Sequence, residues 1–145
     1  MSGGLRRVQA AFTPSVRAGL RPVLLAIAEA EIADELATPS IEGLPFLRET
    51  AAVLEARMFG MPKHFALGMI FLTFLFDRST LATDGASFTR LSLAQRRKAL
   101  ARVRALPLGP LKNFTMFFDK MAPFIFWSHL EESGPLQAVL QDGAT

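Results

Sequence analysis

A chain of 145 residues, half of them hydrophobic and a fifth charged, is long enough to bury one sizeable core and too apolar to stay disordered. Its formal net charge is only +3 and it contains no cysteine, which excludes disulfides, thiolate nucleophiles and cysteine-held metal or iron–sulfur centres. It has 13 phenylalanines but no tyrosine. Rings without hydroxyl groups suit a deep core, an apolar interface or a lipid surface, and composition leaves all three open.

Proline and glycine divide the first half of the chain into three predicted helices. A helical stripe runs from residue 22 to about 36, where Thr38-Pro39-Ser40 ends it. A second helix is predicted over about 45–58, and a third, strongly apolar one around 65–76. This apolar run is shorter than the roughly 20 residues that cross a bilayer as a helix. We therefore expect a buried core helix, with partial membrane insertion or burial against a partner as the alternatives.

The second half contains the clearest helix start in the sequence. The polar, glycine-bearing segment 79–89 is predicted to be a surface loop. Ser92 precedes Gln95 by three residues, the spacing of a capping box, so a helix should begin there and run to about residue 106. The last long helix should start near 108–110, and Pro123 is expected to kink or interrupt it.

No segment alternates apolar and polar residues with the period of a β-strand. The sequence therefore predicts an all-α fold, a single irregular bundle of five or six helices that forms one domain over 1–145. Segments 1–20 and 134–145 are expected to be peripheral, and the tail after Gly134-Pro135 should form a short helix at most.

Charge is distributed unevenly along the chain. The span 29–55 carries seven acids, whereas 85–118 contains none and holds seven bases, including Arg96, Arg97 and Arg102. A basic helix of this kind binds anionic lipid, nucleic acid or an acidic protein face, or it pairs with the acidic half of its own chain. No recognised nucleic-acid module accompanies the charge, so we expect no nucleic-acid partner.

The sequence offers no constellation for catalysis. His64 and His129 are each isolated from a second ligand at metal-site spacing, which predicts a structural or partner-contacting role for both. No nucleophile elbow, phosphate loop or cofactor motif is present. We therefore predict no catalytic, cofactor-binding or metal-binding residues and no enzymatic activity of the chain by itself. The N-terminus shows no export signal, which predicts a cytoplasmic protein, with peripheral attachment to the inner membrane as the alternative.

The stretch from Phe88 to His129 carries a more specific pattern. A Phe and a Leu-Ser pair precede an arginine-containing helix, a proline-marked turn follows, and an aromatic-rich helix ends in two aromatics: Phe88, Leu91-Ser92, Arg96-Arg97, Leu106-Pro107-Leu108 and Phe126-Trp127. In this pattern the chain resembles the helical small subunits of flavin-dependent GMC-type alcohol dehydrogenases, in particular the gluconate 2-dehydrogenase subunit 3 family. It departs from that family where Phe126-Trp127 replaces the more usual Tyr pair, and in showing no secretory signal.

The resemblance implies a non-catalytic accessory subunit bound to a larger flavoprotein that holds the FAD and the catalytic histidine. This chain would then stabilise that subunit, cover its substrate entrance or dock it to a membrane or electron acceptor. The side chains expected to contact the partner are six aromatics with a charged rim: Phe114, Phe117, Phe118, Phe124, Phe126 and Trp127, with Arg96, Arg97 and Arg102. The same aromatic stripe is compatible with the protein's own core.

Two other classes of function remain open at this point. One is a peripheral membrane protein that uses the apolar helix 65–76 and the aromatic segment 114–127, with the basic helix between them. The other is a small carrier of apolar ligands or a stand-alone helical enzyme with an enclosed apolar cavity.

Overall fold

Over the part of the chain that it describes, a computed structural model of the protein contains five α-helices and one short 3-10 helix. The structure describes residues 2–133, and side chains over 14–132. The elements are α1 (Ser2–Glu35), α2 (Leu47–Phe59), α3 (Lys63–Asp84), a 3-10 turn (Phe88–Arg90), α4 (Leu93–Arg104) and α5 (Gly109–Ser133). No strand occurs within 2–133. The predicted all-α fold is confirmed, while the expectation for the tail 134–145 lies outside the described residues.

The C-terminal half of α1 is the centre of the bundle. Helix α1 contacts every other element, and most of its side chains from Leu20 to Ala33 are buried, with Arg21 and Pro22 exposed. The prediction that this helix begins at Pro22 was wrong, because α1 already begins at Ser2 and contains Pro22 in its interior. Proline removes one backbone donor from the helix, but Leu20 and Val23 are buried on either side of it, so packing keeps the chain helical.

Helix α3 is longer than its apolar core suggests. The segment from residue 79 was predicted to be a loop, yet α3 continues to Asp84 and ends at Gly85, whose φ of 79° is the left-handed conformation that glycine adopts readily. Two polar side chains support the following turn. Thr80 donates a hydrogen bond to the carbonyl of Ala86 at 2.7 Å, and Asp77 accepts one from the amide of Thr89 at 3.2 Å. The polar residues thus organise the turn instead of forming it.

The predicted capping box at the start of α4 is confirmed. The Ser92 hydroxyl accepts the amide hydrogen of Gln95 at 3.3 Å, and the Gln95 side chain accepts the amide hydrogen of Ser92 at 3.1 Å. Helix α5 begins at Gly109, as predicted, but Pro123 does not interrupt it. The neighbouring Ala122 and Ile125 are buried, which holds this part of α5 against the bundle.

Replacing Ser92 with Ala should lower the free energy of unfolding by about 1 kcal/mol, because the Gln95 amide then loses its cap. Urea denaturation followed by circular dichroism measures this change. Ser87→Ala is the matched control, since Ser87 precedes the 3-10 turn without capping it. An equal loss in both variants would contradict the assigned role of the capping box.

Candidate functional site

The six aromatics predicted to contact a partner divide into two groups. Phe114, Phe118 and Phe126 are fully buried in the protein's own core. Rings there meet edge to face or tilted, for example Phe114 and Phe118 with centroids 5.1 Å apart, an arrangement that aromatic pairs favour. Phe117 is half-buried against the core, and only Phe124 and Trp127 are exposed. The structure therefore does not bring the six together on one surface.

The three arginines of the predicted rim are engaged in ion pairs within the chain. Arg96 is buried and donates to Glu29 at 3.1 Å and to the carbonyl of Ala26 at 2.9 Å. Arg97 contacts Asp34 at 2.9 Å. Arg102 binds Asp84, and this hydrogen bond, with a second from Thr83, holds the pKa of Asp84 below its usual value. The alternative that the basic helix pairs with the acidic half of its own chain is confirmed for Arg96 and Arg97, whereas Arg102 pairs with an acid outside that half.

A buried acid lies at the junction of α1, α4 and α5. Glu31 is only 4% exposed, and Arg104 contacts it at 2.9 Å and Asp119 at 2.8 Å. Burial, followed by the hydrogen bond and negative charge of Asp119, raises the pKa of Glu31 to about 8 despite the opposing effect of Arg104. Burial alone would lower the pKa of Arg104, but Asp119 and Glu31 together raise it. These three groups form a structural cluster that joins the three helices.

The two histidines lie apart from each other and from any acid cluster. His129 stacks on Phe46 with ring centroids 5.8 Å apart, and its Nδ1 lies 2.9 Å from the carbonyl oxygen of Ile125. His64 is exposed at the start of α3, beside Phe65. Within the described side chains, no group of three or more His, Asp or Glu residues is placed to hold a metal ion. His129 thus makes contacts within its own chain, which agrees with the structural alternative of the predicted structural or partner-contacting role.

Helix α3 exposes large apolar side chains and buries polar ones. Four exposed apolar residues lie along one side of this helix, with the exposed Arg78 between the last two, and we call them the α3 face: Leu67, Phe71, Leu75 and Leu81. Phe71 is 65% exposed, whereas Thr73, Asp77 and Thr80 on the opposite side are buried. The expectation of a buried core helix was therefore wrong for this side of α3. The residues of 63–83 include a single acid, the buried Asp77, so the α3 face has no negative charge of its own.

The composition of α3 also meets the requirements for a membrane span. The helix has 22 residues and a mean hydropathy of 1.4 over its most apolar 18-residue window, of which 28% is buried. The sequence-based estimate was too short because it stopped at residue 76. A core helix of a soluble protein passes the same test when it is mostly buried, but α3 is mostly exposed. An exposed apolar side of this kind is usually covered by another apolar surface, which would lie outside the described part of the chain.

Helix α5 adds a second, smaller exposed apolar strip. Met116, Phe124 and Trp127 are exposed, and their spacing of eight and three residues brings them to one side of the helix together with Lys120. Periodicity in the sequence could have identified both this strip and the α3 face. Periodicity could not show that these residues point outward, because each helix also carries aromatic and aliphatic residues on its other sides.

Comparisons with protein-family models, with curated protein sequences and with solved structures find no match to this chain.

The neighbours Phe126 and Trp127 should respond differently to truncation. Phe126 is 1% exposed and Trp127 is 43% exposed. Phe126→Ala leaves a cavity in the core and should lower the free energy of unfolding by about 3–5 kcal/mol. Trp127→Ala should cost less than about 1 kcal/mol. Urea denaturation of the two variants measures the difference, and comparable losses would contradict the assignment of Phe126 to the core.

The cluster at Glu31 predicts a stability that falls with rising pH. The folded protein keeps a proton on Glu31 up to about pH 8, while the unfolded chain loses it near 4.5, so ionisation opposes folding between these values. The wild type should lose up to about 1.4 kcal/mol per pH unit in this window relative to Glu31→Gln, which carries no titrating group. Urea denaturation at pH 5, 6.5 and 8 measures this, with the exposed Glu35→Gln as control. Parallel pH profiles of wild type and Glu31→Gln would contradict it.

Proposed function

We propose that the chain is a non-catalytic accessory subunit that packs through the α3 face against a larger protein. The observation that carries this proposal is the exposure of four large aliphatic and aromatic side chains along one helix. Soluble monomers rarely expose contiguous apolar patches of this kind unless another molecule covers them. Obligate interfaces have this apolar character, because they resemble a domain core cut in half.

The partner in this proposal is the FAD-containing subunit of a GMC-type alcohol dehydrogenase. Its identity rests on the resemblance of the segment Phe88–His129 to the helical small subunits of those enzymes. FAD and the catalytic histidine would reside in the partner, and this chain would stabilise that subunit or cover part of it. Phe124 and Trp127, exposed on α5, are the members of the predicted contact set that remain accessible to such a partner.

A peripheral role at the inner membrane is the second candidate, and the length and apolar composition of α3 favour it. The basic helix α4 supports it less than the sequence suggested, because Arg96, Arg97 and Arg104 are already paired with acids of the chain. The cations nearest to the α3 face along the helix are Lys63 and Arg78. Anionic lipid attracts such residues by about 1 kcal/mol each.

Replacing Phe71 and Leu75 together with Gln should break the complex while leaving the fold intact. Both side chains are exposed and Gln is a good helix former, so stability should change by less than about 1 kcal/mol. Loss of two interface anchors should weaken partner binding by about 2 kcal/mol or more. The measurement is affinity purification of the tagged chain from its native host, with an absorbance spectrum of the eluate.

The matched control is Leu106→Gln with Leu108→Gln, which removes two exposed leucines from the connection between α4 and α5. A yellow eluate with flavin bands and one larger chain, retained by this control and lost by the α3 variant, supports the proposal. A colourless, monomeric wild-type eluate would overturn it. Co-sedimentation with anionic vesicles that falls with rising salt and requires Phe71 and Leu75 would instead establish the membrane candidate.

A further inference from the structure

A groove of about 570 Å³ lies between α1 and α2. Apolar groups line much of it, contributed by Pro22 and Leu25 of α1 and by alanines of α2 such as Ala51 and Ala52. The volume falls in the range of pockets that bind small molecules, roughly 300–1,000 Å³. A short hydrocarbon or aromatic body therefore fits this part of the surface.

Three arginines surround the apolar lining, and one acid opposes them. Arg17 and Arg21 of α1 and Arg48 of α2 line the groove together with Glu55. The Glu55 side chain is only 7% exposed, and it is approached by the Nε atoms of Arg21 at 3.0 Å and Arg17 at 3.7 Å. One carboxylate cannot neutralise three guanidinium groups, so the groove keeps a net charge of +2, from three positive charges and one negative.

Part of this charge has no full partner among the described residues. The Nε of Arg17 is buried and has no hydrogen-bond partner among the described residues, which is costly for a charged group. The Arg17 guanidinium also lies 4.2 Å from the ring centroid of Phe59, a cation–π contact that limits its motion. Arg48 is exposed and forms no ion pair within the described part of the chain.

We infer that this groove binds a small amphipathic anion, with a carboxylate or phosphate head group held by the arginines and an apolar body on the alanine and leucine surface. Guanidinium groups bind both head groups through paired, charge-assisted hydrogen bonds. Inorganic phosphate should bind more weakly, because it has no apolar part to bury against the lining. A neutral alcohol of the same length should also bind more weakly, because it offers no negative charge to the arginines.

The test is titration of the full-length chain with octanoate and octyl phosphate below their micelle concentrations, with octanol and inorganic phosphate as controls. Methyl NMR signals of Ala51 and Ala52 report on the groove, and those of Leu67 and Leu75 report on the α3 face. Saturable shifts at the alanines with the two amphipathic anions, and weaker ones with both controls, support the inference. The difference in affinity between the two anions then identifies the preferred head group.

Two variants make the test specific. Arg48→Gln should weaken binding about tenfold or more, because one charge-assisted hydrogen bond is lost. The control Arg57→Gln removes an exposed arginine of α2 that does not line the groove, and should change affinity by less than about twofold. Ala52→Phe fills the groove without altering its charge and should abolish the response. Equal binding of octanol, larger shifts at the α3 leucines, or equal effects of Arg48→Gln and Arg57→Gln would overturn the inference.

Discussion

The fold depends on the way in which the acids of a buried helix are neutralised. Helix α1 is surrounded by the other elements from Leu20 to Ala33, yet this segment includes Glu29 and Glu31. A carboxylate in such a position is tolerated only when it is paired or protonated. Arg96 pairs with Glu29, whereas Glu31 keeps its proton up to about pH 8 and accepts a hydrogen bond from Arg104. These two contacts fix which side of α4 faces α1. Arg104 also binds Asp119 and thereby connects α5 to the same pair of helices. Much of the uneven charge along the sequence therefore serves to form ion pairs between helices of the protein itself.

Apolar side chains form the largest exposed feature of α3. Helix α3 packs through Ala66, Thr73 and Phe76 and satisfies its buried hydroxyls locally, since Thr73 donates to the carbonyl of Met69 at 2.7 Å. The buried side of α3 thus includes several small or polar residues, while most of its large apolar side chains lie on the other side. The α3 face is thus a consequence of how α3 packs, and covering it would remove from water side chains that are each worth about 1.5–3 kcal/mol when fully buried.

The helix start that depends only on neighbouring residues was predicted correctly, whereas features that depend on packing between helices were not. The start of α4 depends only on Ser92 and Gln95, and it was predicted correctly. The start of α1 was missed because Pro22 reads as a helix start, although packing around it keeps the helix continuous. The predicted contact set includes the buried Phe126 beside the exposed Trp127, because both are large aromatics in the sequence and differ only in which side of α5 they occupy. Periodicity defines the sides of a helix, whereas the neighbouring helices decide which side is inside.

One turn of α1 lies next to both surfaces that the structure leaves open. Arg17 and Arg21 line the groove, Leu20 is buried in the core, and a Cβ atom at Gly19 would lie 3.5 Å from the ring of Phe74 on α3. A side chain at this position would thus reach Phe74 at an ordinary van der Waals distance, which shows how closely this turn of α1 approaches α3. The turn of α1 that lines the groove therefore packs directly against the helix that carries the α3 face.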